Sequence, residues 1–164
     1  MPIRLIALTV FVLLVAAAPA SATIVPGKGM AGVQIGQCQE RVIEILGFPD
    51  RTFGSHDFAG IKSSYYYNAK ALKIIFRRGP GRCLVLSSIR TRGSEERTKE
   101  GVGKGTLRKD LRAKLKGEKC RTFRQPKKIR TCWLGSRTPS KPLTEFRIDS
   151  KGRVNNIVVG TVVD

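Results

Sequence analysis

Two short stretches of this chain match each other: GVQIG at residues 32 to 36 and GVGKG at 101 to 105. At the offset of 69 between them, Gly32, Val33 and Gly36 fall on Gly101, Val102 and Gly105. Downstream, Val42 falls on Leu111 and Leu46 on Leu115, and the closing glycines Gly47 and Gly117 agree to within one residue. IIFRRGPGR (74 to 82) then parallels TEFRIDSKGR (144 to 153), with Phe76 on Phe146 and Gly81-Arg82 on Gly152-Arg153. Such self-similarity constrains a fold more than local propensity does, because each unit must bury its apolar face against its neighbour. Two copies of one unit of about 70 residues are expected. Taken alone, GVGKGT resembles a phosphate-cradling loop. A P-loop, however, needs G-x-x-x-x-G-K-[ST] after an apolar strand, whereas Gly105 separates Lys104 from Thr106 and SEERTKE precedes the run.

Each copy reads as a helix followed by strands. Cys38, Val42, Ile45 and Leu46 recur at helical spacing, as do Leu107, Leu111 and Leu115, and Gly47 and Gly117 are placed to end the helices. SSYYYN and IRTCWLG follow as β-rich stretches. Hairpins then follow: LKIIFRR, GPG and RCLVLSSIR in the first copy, LTEFRID, SKG and RVNNIVVGTVV in the second. The expected fold class is α+β: two tandem helix-then-antiparallel-strand repeats sharing one curved sheet, with the helices on one side. The first repeat spans 23–90, TRGSEERTKE (91–100) is a polar linker, and the second repeat spans 101–164, the two forming one compact domain.

The first 22 residues read as a cleaved secretory signal. Arg4 supplies the positive end, Leu5 to Ala18 the apolar run, and Ala20-Ser21-Ala22 the small-residue cleavage site. The run is short for a bilayer span of about 20 residues, so a soluble, exported monomer is expected. Four cysteines, Cys38, Cys83, Cys120 and Cys132, then read as two disulfides. With one His and no close Cys pairs, neither a metal site nor a cofactor is expected. The repeat favours one of three connectivities. Cys38 falls on Leu107 and Cys83 on Val154, apolar positions where a helix start can meet the last strand, and Cys120 and Cys132 flank one loop. That gives 38–83 and 120–132.

The segment GQCQERVIEILGFPD carries a recognisable pattern: Gly, an apolar residue six later, Gly eleven later, then x-Pro-Asp. It resembles the exported modules of the outer-membrane assembly lipoprotein type (SmpA/OmlA, BamE). Two such units with a bridge placed like Cys120–Cys132 resemble the β-lactamase inhibitory protein family. The resemblance implies a curved antiparallel sheet with helices on its convex side and protein binding on its concave side. The family places Ser or Thr two residues after the first Gly, where this chain has Cys38 and Leu107, so Thr106 is expected to cap the second helix. No segment matches the family's inhibitory contacts, and no inhibitory site is carried over.

His56 stands beside Ser55 and Asp57, but sequence neighbours do not make a triad, and the sparse acids form no general acid/base pair. A non-catalytic binding module is expected. Alternation sends Tyr65 and Tyr67 inward and Tyr66 outward. Phe146 and Ile148 inward puts Arg147 outward, with Lys73 and Arg77 on the same face, and Trp133 occupies the comparable strand of the second copy. Such a face suits another protein of the envelope or medium, an acidic one included. The formal charge of +19 also fits a cationic protein binding nucleic acid or an anionic envelope polymer. Residues 90 to 130 hold 16 Lys or Arg against 5 Asp or Glu, and Arg108, Arg112 and Lys116 recur at i, i+4, i+8 as a basic ridge.

Overall fold

The structure is a computed structural model and describes residues 23–57, 60–79, 81–123 and 129–161. The expected signal segment, 1–22, lies outside the described residues. Three two-residue strands, β1 (Ile24–Val25), β2 (Gly29–Met30) and β3 (Val33–Gln34), form a small antiparallel sheet. Helix α1 (Gln39–Leu46) leads into β4 (Arg51–Asp57), β5 (Gly60–Tyr67), β6 (Leu72–Arg78) and β7 (Leu84–Thr91). Helix α2 (Arg108–Lys114) leads into β8 (Lys119–Phe123), β9 (Ile129–Gly135), β10 (Pro142–Ile148) and β11 (Val154–Thr161). These eight strands make one antiparallel sheet in the order β4-β5-β6-β7-β11-β10-β9-β8.

Alternation with a period of two sets that sheet. In β6, Leu72, Ile74 and Phe76 are buried while Lys73, Ile75 and Arg77 are half-buried. In β10, Thr144, Phe146 and Ile148 are buried while Leu143, Glu145 and Arg147 are half-buried. Successive side chains in a strand point to opposite faces and ladder partners share one, so each strand adds a stripe to the same core. Tyr65 and Tyr67 enter it opposite Ile74 and Leu72. Tyr65 packs edge-on to Phe76 at 4.8 Å between centroids, and the Tyr67 hydroxyl donates to the Gly47 carbonyl at 3.2 Å. Val42 of α1 and Leu111 of α2 complete the core on this side. The two halves of the sheet meet along only four residue pairs, from Thr91–Ile157 to Ser88–Gly160.

The expected α+β repeat of helix-then-strand units is corrected by this architecture. The molecule is mostly β, and its helices have only 8 and 7 residues. About two turns are too few to form a helical layer, and each helix buries one side chain, Val42 or Leu111. Helix α2 ends before Leu115, whose backbone is extended (φ −103°, ψ 107°), so Lys116 stands beyond it and the basic ridge is not a helical one. Neither helix has a side-chain N-cap. The Thr106 hydroxyl accepts from the Gly103 amide at 3.1 Å instead of capping α2.

The glycine turns serve the sheet. Gly36 (φ 89°) donates its N–H to Leu86 at 2.8 Å, and Gly105 (φ 87°) donates to Val154 at 2.7 Å. The N–H of Gly105 is thus committed to backbone. The segment 91–100 is not solvated throughout: Glu96 and Thr98 are buried, and the Thr23 and Ile24 amides donate to Arg97 at 3.0 and 2.9 Å. Two disulfides close the fold. Cys38–Cys83 joins the start of α1 to the residue before β7, and Cys120–Cys132 joins directly opposed positions of β8 and β9.

Candidate binding face of the sheet

The face of the large sheet turned away from the core is organised in rows running across the strands. Ladder register places Arg51, Tyr66, Lys73 and Arg90 side by side on β4, β5, β6 and β7. The row continues through Val158, Glu145, Trp133 and Lys119 on β11, β10, β9 and β8. It therefore crosses all eight strands. One step along lies a row of smaller and apolar groups: Phe53, Ser64, Ile75, Ser88, Gly160, Leu143 and Gly135. On the other side of the first row, Asn156, Arg147, Thr131 and Arg121 align.

Cations flank the Tyr66, Trp133 and Phe123 rings of this face. The Lys73 ammonium stands 4.9 Å and the Arg51 guanidinium 5.9 Å from the Tyr66 ring centre. Arg137, in the turn after β9, stacks 4.1 Å from Trp133 and reaches Phe123 at 5.1 Å. Hydrogen bonding with Lys73, backed by the charges of Lys73, Lys62 and Arg51, holds the Tyr66 phenol below its ordinary pKa against an opposing effect of burial. Burial, then the charges of Arg147 and Arg92, lower that of Arg90. Glu145 is the one acidic group among the described side chains of these rows. It bridges Arg147 at 2.8 Å and Arg137 at 3.2 Å. Phe53, 66% exposed, leaves apolar area open beside the charges.

Two cavities open at one end of the face and share Arg92. One, of about 380 Å³, lies among Tyr66, Lys73 and Arg90; the other, of about 560 Å³, lies among Arg147, Ile148, Asp149 and Asn156. The sequence-derived candidates Tyr66, Lys73, Arg77, Trp133 and Arg147 all lie on this face, Arg77 opposite Lys62. Arg108, Arg112 and Lys116 do not join them. They belong to α2 and the residues after it, on the core side, where Arg112 pairs with Glu118 at 2.8 Å.

Arg51, Phe53, Arg90, Arg92, Arg137 and Asn156 escaped the sequence reading. Alternation in SSIRT could have placed Arg90 opposite Ile89, but the others depend on register or on a turn. The expectation for His56 concerns a side chain outside the described set. Cys38, Glu40 and Cys83 cluster, but both sulfurs are joined in the disulfide and offer no thiolate to a metal.

No family model matches the chain, and no curated protein matches it. Among solved structures, an extracellular protein containing an SCP domain from Bacillus anthracis str. Ames is similar at 14% identity and a TM-score of 0.48. The match covers 77% of this chain and 44% of that one, so this chain spans under half of that protein's length. The resemblance to the β-lactamase inhibitory protein family and to the SmpA/OmlA (BamE) module is corrected accordingly. No family model supports it, and a mostly-sheet molecule with two very short helices is not that helix-and-strand repeat. Two disulfides fit an exported chain. Among the described residues no helix is long and apolar enough to cross a membrane.

Proposed function

We propose that this chain is an exported, monomeric, non-catalytic binding module that grips an acidic protein partner on the open face of its eight-stranded sheet. Residues 1–22 serve as its cleaved signal. The observation that carries this reading is the row from Arg51 to Lys119, which sets Tyr66 and Trp133 among cations on backbone already ordered by ladder hydrogen bonds. Rigid aromatics bury large area while losing few rotamers, and interface hot spots are enriched in Trp, Tyr and Arg. The surrounding charge steers an acidic surface toward the face and disfavours basic ones. The overall charge of +19 favours a second reading, retention of anionic polymers without shape specificity.

Affinity capture from culture medium and envelope, using the protein and its Tyr66→Ala/Trp133→Ala variant, separates the two. Capture of one protein that survives about 200 mM salt and is lost with the double variant supports the module, because polyanion binding through several phosphate contacts falls by orders of magnitude between about 50 and 200 mM. Retention of nucleic acid or polymer alone, released by salt and indifferent to the double variant, replaces it with the second reading.

A further inference from the structure

The larger cavity has the donors and the acceptor needed to hold an acidic residue together with its main chain. Arg92, just past β7, and Arg147, on β10, reach it from separate strands, and Asn156 of β11 lies between them in the wall. Asn156 is 5% exposed, and its Oδ1 has no hydrogen-bond partner among the described residues. A buried acceptor left in that state is costly, so it marks a place where a donor belongs. Arg147 spends its Nε on Glu145 at 2.8 Å, which leaves the other N–H groups of its planar fork for a ligand. Arg92 is exposed and has no ion pair among the described residues. Asp149, at the rim, uses Oδ1 to accept the Lys151 and Arg153 amides, each at 2.9 Å, and thereby holds the turn between β10 and β11.

We infer that this cavity takes an Asp or Glu residue of the protein partner, its carboxylate on Arg92 and Arg147 and its main-chain N–H on Asn156 Oδ1. The inference rests on the proposed function and names the chemistry of its anchor point. A phosphate polymer suits the site less well. Its backbone brings acceptors only, so Asn156 would stay unpaired. Arg90 lines the neighbouring cavity, and its pKa is lowered by burial and then by the Arg147 and Arg92 charges, in keeping with guanidinium groups that stand close together beside the site.

The test is fluorescence anisotropy with a labelled octaglutamate peptide, a labelled octathymidylate serving as the phosphate probe. R92Q is expected to weaken octaglutamate binding about tenfold, as the loss of one charge-assisted contact should, and N156L should do likewise. R112Q, across the molecule, should leave it unchanged. R92Q is the deciding variant because Arg92 is exposed, and an unaltered urea midpoint shows that the variant is folded. Octaglutamate binding indifferent to R92Q overturns the inference, as does tighter binding of octathymidylate with an equal loss in R92Q. If Tyr66→Ala/Trp133→Ala weakens octaglutamate binding while R92Q does not, the face stands and the cavity falls. If neither matters, both fall.

Discussion

Gly160 lies where two effects of opposite sign can be weighed. It sits in β11 opposite Ser88 of β7, at one end of the four-pair seam joining the halves of the sheet. A Cβ built there would stand 2.6 Å from the Ser88 Cβ and 2.8 Å from the Ser87 carbonyl oxygen. Replacing a strand glycine by alanine ordinarily helps by roughly 0.5–1 kcal/mol, because less backbone entropy is lost on folding. Overpacking a fitted site costs about 1–3 kcal/mol, and here the obstacles are backbone and a Cβ rather than the tip of a flexible chain. The clash should win, leaving Gly160→Ala less stable by about 1–2 kcal/mol, a large share of a total near 5–15 kcal/mol. Gly54, in edge strand β4, is the control: nothing lies within 4 Å of its added Cβ, so Gly54→Ala should gain about 0.5 kcal/mol. Urea unfolding of the oxidised protein, with m unchanged, reads both. A Gly160→Ala variant as stable as the parent would refute the close seam.

The chain has three tyrosines, consecutive in β5, so an ultraviolet titration reads their summed ionisation and a Tyr66→Phe variant assigns the steps. Tyr66 should ionise below 10.0, and Tyr65 and Tyr67, raised chiefly by burial, above it. The raised pair contributes stability that is full below 10.0 and lost as pH rises through their folded values, whereas Tyr66 contributes stability that is present above 10.0 and lost as pH falls through its own. Tyr66→Phe should abolish only the early step, and simultaneous ionisation of all three would contradict the alternation. Removing the Cys38–Cys83 bridge, which spans 45 residues, should cost about 4 kcal/mol, and removing Cys120–Cys132, which spans 12, about 3 kcal/mol. The reverse order in paired Cys→Ala variants would reject loop closure as their main effect. Arg112→Gln, which removes a pair at an exposed guanidinium, should change stability by no more than about 0.5 kcal/mol, whereas Phe146→Ala, emptying a fully buried site, should cost about 3–5 kcal/mol.

The strands were legible because alternation reports burial directly. LKIIFRR and LTEFRI each show one face apolar, and Tyr66 could be assigned outward from its neighbours alone. The helices were overread for the same reason. Leu107, Leu111 and Leu115 keep helical spacing, and Leu111 and Leu115 are buried, yet the chain leaves the helix after Lys114 and delivers Leu115 from extended backbone. Apolar spacing records which side chains reach the core and leaves open the conformation that carries them. The matched apolar positions therefore suggested an α+β helix-then-strand repeat and a family likeness that a mostly-sheet molecule does not bear. The site was half-legible. Lys73, Arg77 and Arg147 followed from alternation, but the union of Lys73 and Arg90 in one half of the sheet with Arg147 and Trp133 in the other depends on β7 pairing with β11 across some 70 residues of sequence, which no local pattern shows.

The central claim is that this sheet face, and not the basic surface around α2, meets an acidic partner. Backbone NMR of the isotope-labelled protein titrated with octaglutamate tests it most directly. Shift changes are expected to concentrate at Tyr66, Lys73, Arg90, Trp133 and Arg147, which ladder register places on one face. Changes centred on Arg108, Arg112 and Lys116, or spread evenly over the basic surface, would contradict it.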